Sequence, residues 1–349
     1  MLFKPDILKF KQNKNVKGLI KALKYHGSHE RSWAAEVLGD LGETSAVEPL
    51  IDTLKDKDIN VRWSAVKSLG KIGDRRAALP IAIALTETND WQMPLLVREA
   101  LVNIGQRNCD ALMDLMTHSN SDIRQLPAKI LGEIGCQEAI EGLISALKND
   151  ENFMVRGLAA KSLGQLGDKF AVVPLINSIS DQDGTVILEV IEALGILGDA
   201  RAIDPLVAYL SDKNNGSRGL AATALGKIGD KRAVEALVTA LTDESLQVRI
   251  AATEALLAIG DHQGNLAAKS RIRSMEHMVD QLCILLDEEK PFEQPRKETI
   301  QRARDFGMLL NNQGGFELMK RVMGIITQRR PFDYQRLNFW WDKIGTWRY

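Results

Sequence analysis

What the sequence lacks narrows its function first. Among 349 residues there are three cysteines, five histidines and few aromatics, 5% in all. Cys109, Cys136 and Cys283 are too few and too scattered for a disulfide framework or a zinc site. They read as small packing residues, and a reducing cytoplasm is the expected compartment. No window approaches about 18 uninterrupted apolar residues, so no transmembrane helix is expected. The opening stretch, MLFKPDILKFKQNK, has no compact apolar core followed by a small-residue cleavage site, which argues against a signal peptide. An excess of one charge is missing too: 45 Lys and Arg face 46 Asp and Glu, so net charge does not point to nucleic acid or an anionic membrane. There is no P-loop, no G-x-S-x-G and no Cys-His nucleophile arrangement. No cofactor, no metal and no catalytic residue is expected.

What the sequence does contain is repetition. LGKIGD at Leu225 to Asp230 has siblings at Leu38 (LGDLGE), Leu69 (LGKIGD), Leu131 (LGEIGC), Leu163 (LGQLGD) and Leu194 (LGILGD), with weaker copies at Leu101 (LVNIGQ) and Leu256 (LLAIGD). With the second glycine as anchor, the copies fall at Gly42, Gly73, Gly105, Gly135, Gly167, Gly198, Gly229 and Gly260, at intervals of 30 to 32 residues. A fixed period of that length is the mark of a stacked array, in which each unit buries its apolar face only against its neighbours.

Each unit reads as two helices. In AVEPLIDTL, residues Val47, Leu50, Ile51 and Leu54 share one helical face; the turn KDKDIN follows, then VRWSAVKSLGKIG. Pro49, Pro80, Pro174 and Pro205 each stand seven residues after an anchor, in a first turn where a missing N–H costs little. The anchor glycine suits a left-handed helix stop. The glycine three residues earlier, present in six units, would let packed helices approach closely. Leucine stands four before the anchor in all eight units, and Ala or Val eight before it, with Pro127 the exception. Together these form the expected seam of the second helix.

The domain reading is a basic N-terminal cap over residues 1–24, eight repeats over 12–262, a capping helix within 263–290 and a helical extension over 291–349. In the cap, Val16, Leu19, Ile20 and Leu23 fall at helical spacing. In the extension, Phe339, Trp340, Trp341, Ile344 and Trp347 are expected to fold back onto Phe316, Leu318 and Met319 as a small core.

The pattern A-V-x-P-L-I-x-x-L, a turn, V-R, then A-A-x-x-L-G-x-[LI]-G-D, carried best by Ala46 to Asp74 and Ala171 to Asp199, resembles the short HEAT repeats named after phycobilisome lyases. The resemblance implies an all-α superhelix. Its members include bilin lyase subunits, deoxyhypusine hydroxylases and scaffolds. The di-iron chemistry of the hydroxylases needs several His-Glu pairs, and only His29-Glu30 is present here, so that activity is not expected. The tail, with G-G-x-x-L-M and W-D-x-I-G-x-W, resembles a helical extension of assorted bacterial proteins.

Two repeating polar columns are expected to be structural. Arg stands eleven before the anchor in six units (Arg31, Arg62, Arg124, Arg156, Arg218, Arg249) and should pair with a carboxylate or helix-end carbonyls of an adjacent unit. Asp follows the anchor in five. The column six before the anchor (Glu36, Lys67, Glu99, Lys129, Lys161, Glu192, Thr223, Glu254) alternates in sign, which argues against duplex nucleic acid.

Function is therefore sought where units break their own rule. In the third, the Arg position is Pro94, followed by Leu95, and the turn lengthens to TETNDWQM. In the fourth, Pro127 enters the second helix and threatens a kink. In the sixth, Ile187 replaces Arg and Glu189 stands where most units are apolar. Trp33, Trp63 and Trp91 lie beside them, and Trp63 occupies a column otherwise filled by Ser32, Gln125 or Gly157, which points to exposure. Trp33, Trp63, Trp91, Pro94, Leu95 and Glu189 are thus the candidates for binding a partner polypeptide on the concave face of the second helices, as a non-catalytic scaffold. The alternative is a lyase-like accessory subunit that handles a bilin.

Overall fold

The computed structural model describes residues 5–87 and 90–270. The capping helix expected beyond residue 270 and the Trp-rich extension lie outside the described residues.

The described chain is helical from end to end. Short helices α1 (Ile7–Gln12) and α2 (Val16–Ala22) open it, with Ile7, Leu19, Ala22 and Leu23 buried. Second helices of the repeats then follow at regular intervals: α3 (Ser28–Leu41), α5 (Ile59–Ile72), α7 (Met93–Arg107), α9 (Ser121–Glu133), α11 (Phe153–Leu166), α13 (Gly184–Leu197), α15 (Asn215–Ile228) and α17 (Leu246–Ile259). Between them run the shorter first helices α4 (Val47–Thr53), α6 (Ala78–Thr86), α8 (Asp110–Met113), α10 (Ile140–Asn149), α12 (Val172–Asn177), α14 (Ile203–Tyr209) and α16 (Val234–Ala240). The described residues divide into two compact units, the first ending at Ala193 and the second beginning at Leu194. Among the described residues no helix is long and apolar enough to cross a membrane.

The columns behave as their chemistry requires. The eight leucines four before the anchor are all fully buried, as are the alanines and valines eight before it. Seven anchors, all but Gly105, sit at φ between 62° and 76°, a conformation that is inexpensive only for glycine. The earlier glycines are contact points between neighbouring second helices. A Cβ on Gly70 would meet Ala100 Cα at 2.7 Å, one on Gly164 would meet Ala193 Cα at 2.8 Å, and one on Gly226 would meet Ala255 Cα at 2.7 Å. Each contact lies within one of the two units.

The Asp that follows the anchor caps the next unit. Its carboxylate accepts the amide two residues on, as in Asp168 to Phe170 at 2.8 Å and Asp230 to Arg232 at 2.9 Å, starting the 3-10 turn that leads into each first helix. Ala or Cys then fills the position four after each of the first seven anchors, and Ala46, Ala77, Ala139, Ala171, Ala202 and Ala233 are all fully buried there.

Three expectations need correcting. Gly105 is not a helix stop: α7 runs through it to Arg107, whose guanidinium donates to the Ile72 carbonyl at 2.6 Å and so caps the C-terminal end of α5. Pro127 does not break α9, which carries through it with the proline ring buried. A proline cannot donate to the carbonyl four residues earlier, yet its fixed φ is a helical one. Finally, Cys109 and Cys136 are not scattered packing residues. Their sulfurs are joined, with Cα atoms 6.4 Å apart.

Candidate functional site

The arginine column is a structural clasp. Arg31 donates from Nε and Nη2 to the two oxygens of Asp56, both at 2.7 Å, while its Nη1 donates to the carbonyls of Tyr25 and His26. Arg124 grips Asp150, Arg156 grips Asp181 and Arg218 grips Asp243 in the same way, each also reaching two carbonyls of its own turn. The partner lies 25 residues on, or 26 for Arg124, in the turn of the following unit. That Asp has a second task, since its Oδ1 accepts the amide two residues along, for example Asp183 N to Asp181 at 2.9 Å. Burial pushes the carboxyls of Asp56, Asp150 and Asp243 upward, but the facing guanidinium and the turn amide outweigh it and hold them below the ordinary carboxylate range. For Asp181 the Arg156 fork is the strongest influence, with the same result. A column engaged in this way is not an open anion stripe.

Where the clasp is absent, the surface changes. Pro94 replaces the Arg of the third unit, and the position 25 residues on is Ser119 rather than Asp. The lengthened turn before α7 is held from the preceding unit instead: Trp63 Nε1 on α5 donates to Asp90 Oδ2, while Asp90 Oδ1 accepts the Gln92 amide at 3.0 Å. Trp63 is therefore half-buried and tethered, not the open anchor its column suggested. What the tether positions is exposed. Trp91, directly after Asp90, is 81% exposed, Leu95 on the first turn of α7 is 66% exposed, and Pro94 between them is exposed too. Trp33 on α3 lies at the limit of exposure, its ring 6.1 Å from that of His29.

Two residues that sequence reasoning missed belong with these. Phe153 and Met154, at the start of α11, are 40% and 42% exposed. Phe153 stands fourteen before its anchor, as Trp91 does, so both mark the N-terminal ends of second helices two units apart. At 8–10 Å per helix spacing that is about 20 Å. The shared column was the available signal.

Glu189 lies apart, on α13. Its Oε2 is buried and accepts no hydrogen bond; Lys161 Nζ on α11 stands 3.8 Å away. Its Cγ is 3.8 Å from where a Cβ on Gly157 would be, so it packs against a unit that offers no side chain at that column. Burial pushes the carboxyl up, with Lys161 opposing and Glu192 adding to the shift. The structure does not join Glu189 to the Trp91–Leu95 surface; the two are separate departures. All the residues of the alternating-charge column are exposed. Among the described residues the one grouping of possible metal ligands is Cys109, Cys136 and Glu138, and the cysteines there are bonded to each other.

A run of two-helix units with this seam and these stops is a HEAT-repeat array, and the chain belongs to the HEAT-repeat family, which matches it at residues 16–102, 109–177, 140–219 and 210–270. Within the family, a stretch of 44 residues is 52% identical to the phycocyanobilin lyase subunit alpha of Picosynechococcus sp.. That match spans 13% of this chain and only 16% of the lyase subunit. Among solved structures, Kap95p, described in complex with RanGDP, matches 96% of this chain and 55% of its own at 12% identity and a TM-score of 0.50, a likeness of fold. The CpcE and CpcF complex of phycocyanin lyase from Nostoc sp. matches 74% of this chain and 94% of that one, at 20% identity and a TM-score of 0.29.

Proposed function

We propose that this protein is a non-catalytic scaffold that binds a partner polypeptide along the N-terminal ends of its second helices, with Trp91 and Leu95 as the principal contacts. The observation that carries the reading is Trp91. A tryptophan 81% exposed, on a turn fixed from the neighbouring unit by the Trp63–Asp90 hydrogen bond, exposes a large apolar surface with little conformational freedom left to lose on binding. Pro94 adds rigidity beside it, and Phe153 and Met154 extend the apolar edge. Nothing in the fold requires these side chains to be apolar, since the equivalent positions in the fourth unit are Ser121 and Gln125. HEAT repeats are a kind of fold that mediates protein interactions, and the binding of RanGDP by Kap95p is one case.

A second reading is favoured by one observation, the 44-residue identity to a phycocyanobilin lyase subunit. On it, the same surface would hold a phycobiliprotein or a sister subunit while a bilin is transferred. Affinity purification of the full chain from its own cells, wild type beside Trp91→Ala/Leu95→Ser, tests the scaffold reading. The variant is expected to lose partners that Phe170→Ala, an equally exposed change on a 3-10 turn of the first-helix layer, retains. An unchanged partner set would remove this surface from consideration. Absorbance after mixing with phycocyanobilin tests the second reading, and an unshifted spectrum counts against it.

A further inference from the structure

The two joined cysteines each break a column, in adjacent units. Position four after the anchor is a fully buried alanine in six units and Cys109 in the third. Position one after the anchor is Asp in five units and Cys136 in the fourth. Two separate departures from the repeat thus meet, with Cα atoms 6.4 Å apart, inside the range a disulfide spans.

They meet where several of the devices that join other units are missing. α7 has no left-handed stop, and after Arg107 the chain turns through an extended Asn108 into Cys109. Cys136 provides no carboxylate to cap the next 3-10 turn, as Asp does elsewhere. The glycine that lets neighbouring helices touch is Val102 here, and the small residue it would face is Ile130, so the close approach made at Gly70 or Gly164 is ruled out for α7 and α9. These two helices accordingly pack far less extensively than α3 and α5 do. The covalent link spans a junction that lacks the left-handed stop, the Asp cap and the glycine contact, and whose helices are joined by the Arg98–Glu133 ion pair at 2.6 Å.

Its two sulfurs are unequal. Cys109 is half-buried and reachable, whereas Cys136 is 5% exposed with Sγ 3.5 Å from Glu138 Oε2. A carboxylate at that distance repels a thiolate and accepts a thiol proton. We propose that Cys109–Cys136 is a reversible thiol–disulfide exchange site for low-molecular-weight thiols and disulfides of the glutathione class, with Cys109 the sulfur attacked from solvent and Cys136 the resolving sulfur. In the oxidising direction the Cys109 thiolate displaces one small thiol from the small disulfide, forming a mixed disulfide. The Cys136 thiolate then displaces the second small thiol and closes the protein bond. Two electrons pass from the protein pair to the small disulfide, and the two protons leave with the two thiols formed. Reduction is the reverse. The site is independent of the partner surface.

The test equilibrates the full chain in buffers running from reduced to oxidised glutathione, quenches with acid, alkylates with N-ethylmaleimide and maps the peptides by mass. The expected result is one transition in which the Cys109 and Cys136 peptides lose label together and appear joined. In the fully reduced protein, Cys109 is expected to label about tenfold faster than Cys136, a readout that needs no variant. Cys136→Ser should accumulate a glutathione adduct on Cys109, while Cys109→Ser should accumulate little on Cys136. The proposal is overturned if both peptides stay labelled across the series, if the joined pair resists excess reduced glutathione, or if Cys136 reacts as fast as Cys109. Protection of both reduced thiols by stoichiometric zinc would also overturn it, in favour of a metal site completed by Glu138.

Discussion

Replacing Arg156 with alanine should weaken the array at one identifiable place. The Arg156 side chain is 15% exposed and its partner Asp181 11%. The substitution removes two charge-assisted bonds of 2.8 Å to Asp181 and two bonds, of 3.0 and 3.2 Å, to the carbonyls of Asp150 and Glu151. Removing one partner of a fully buried ion pair typically costs about 3–5 kcal/mol. Here Asp181 keeps the Asp183 amide at 2.9 Å, and the clasp lies on a turn close to solvent, so water can enter. The expected loss is therefore lower, about 2 kcal/mol, with a coupling energy to Asp181→Ala of about 1 kcal/mol or more in a double-mutant cycle. Urea unfolding followed by circular dichroism gives the total, and native-state hydrogen exchange should place the faster opening in α11 and the turn before α13. Arg201→Ala is the control, because Arg201 pairs with Asp199 while about half exposed and should change nothing measurable. An unchanged urea midpoint in Arg156→Ala, or strict additivity with Asp181→Ala, would refute the clasp as a stabilising element.

Other outcomes follow from the same geometry. Glu189→Leu restores the apolar column and removes a buried oxygen with no hydrogen-bond partner, so thermal and urea unfolding should show a gain of about 1 kcal/mol at neutral pH. The two kinds of carboxylate also set opposite pH dependences. The clasp aspartates, held low in the folded state, contribute stability that is present above their unfolded pKa near 3.9 and is lost as pH falls through their folded values, so the steep acid loss should begin below about pH 4. Glu189, held high, weakens the fold while ionised, and stability should rise as pH falls through its folded value; Glu189→Leu should abolish that rise. Gly70→Ala places a methyl 2.7 Å from Ala100 Cα and should cost about 1–3 kcal/mol, despite the better helix propensity of alanine. Gly142→Ala on α10, with only Met116 Sδ within 4 Å at 3.8 Å, should instead stabilise by up to about 1 kcal/mol.

The division between what could be read in advance and what could not has a physical basis. Periodic residues face the same surroundings in every unit, so the buried leucines, the left-handed glycines and the pairing of the arginines follow from spacing alone. The identity of the arginine's partner does not. Asp56 or Asp181 looks like an ordinary turn residue in its own unit, and its second role depends on contact with the unit before. Trp63 misled for the same reason. Its column predicts exposure, but its ring nitrogen is claimed by Asp90, a turn residue of the next unit. Phe153 and the Cys109–Cys136 pair were visible as column breaks but gained meaning only when neighbouring units were brought together. Gly105 misled because LVNIGQ keeps the anchor glycine while α7 runs on through it to Arg107; the missing Asp is not the reason, since Gly42 and Gly135 are left-handed with Glu43 and Cys136 after them.

The central claim is that the N-terminal edge of the second helices, around Trp91 and Leu95, is where a partner polypeptide sits. Site-specific photocrosslinking in the source cells tests it most directly, with a benzoylphenylalanine placed at Leu95, at Phe153 or at Phe170. The account predicts that positions 95 and 153 capture the same protein and that position 170, equally accessible but on the first-helix layer, does not. Capture from position 170 alone, or no capture from positions 95 and 153, would contradict it.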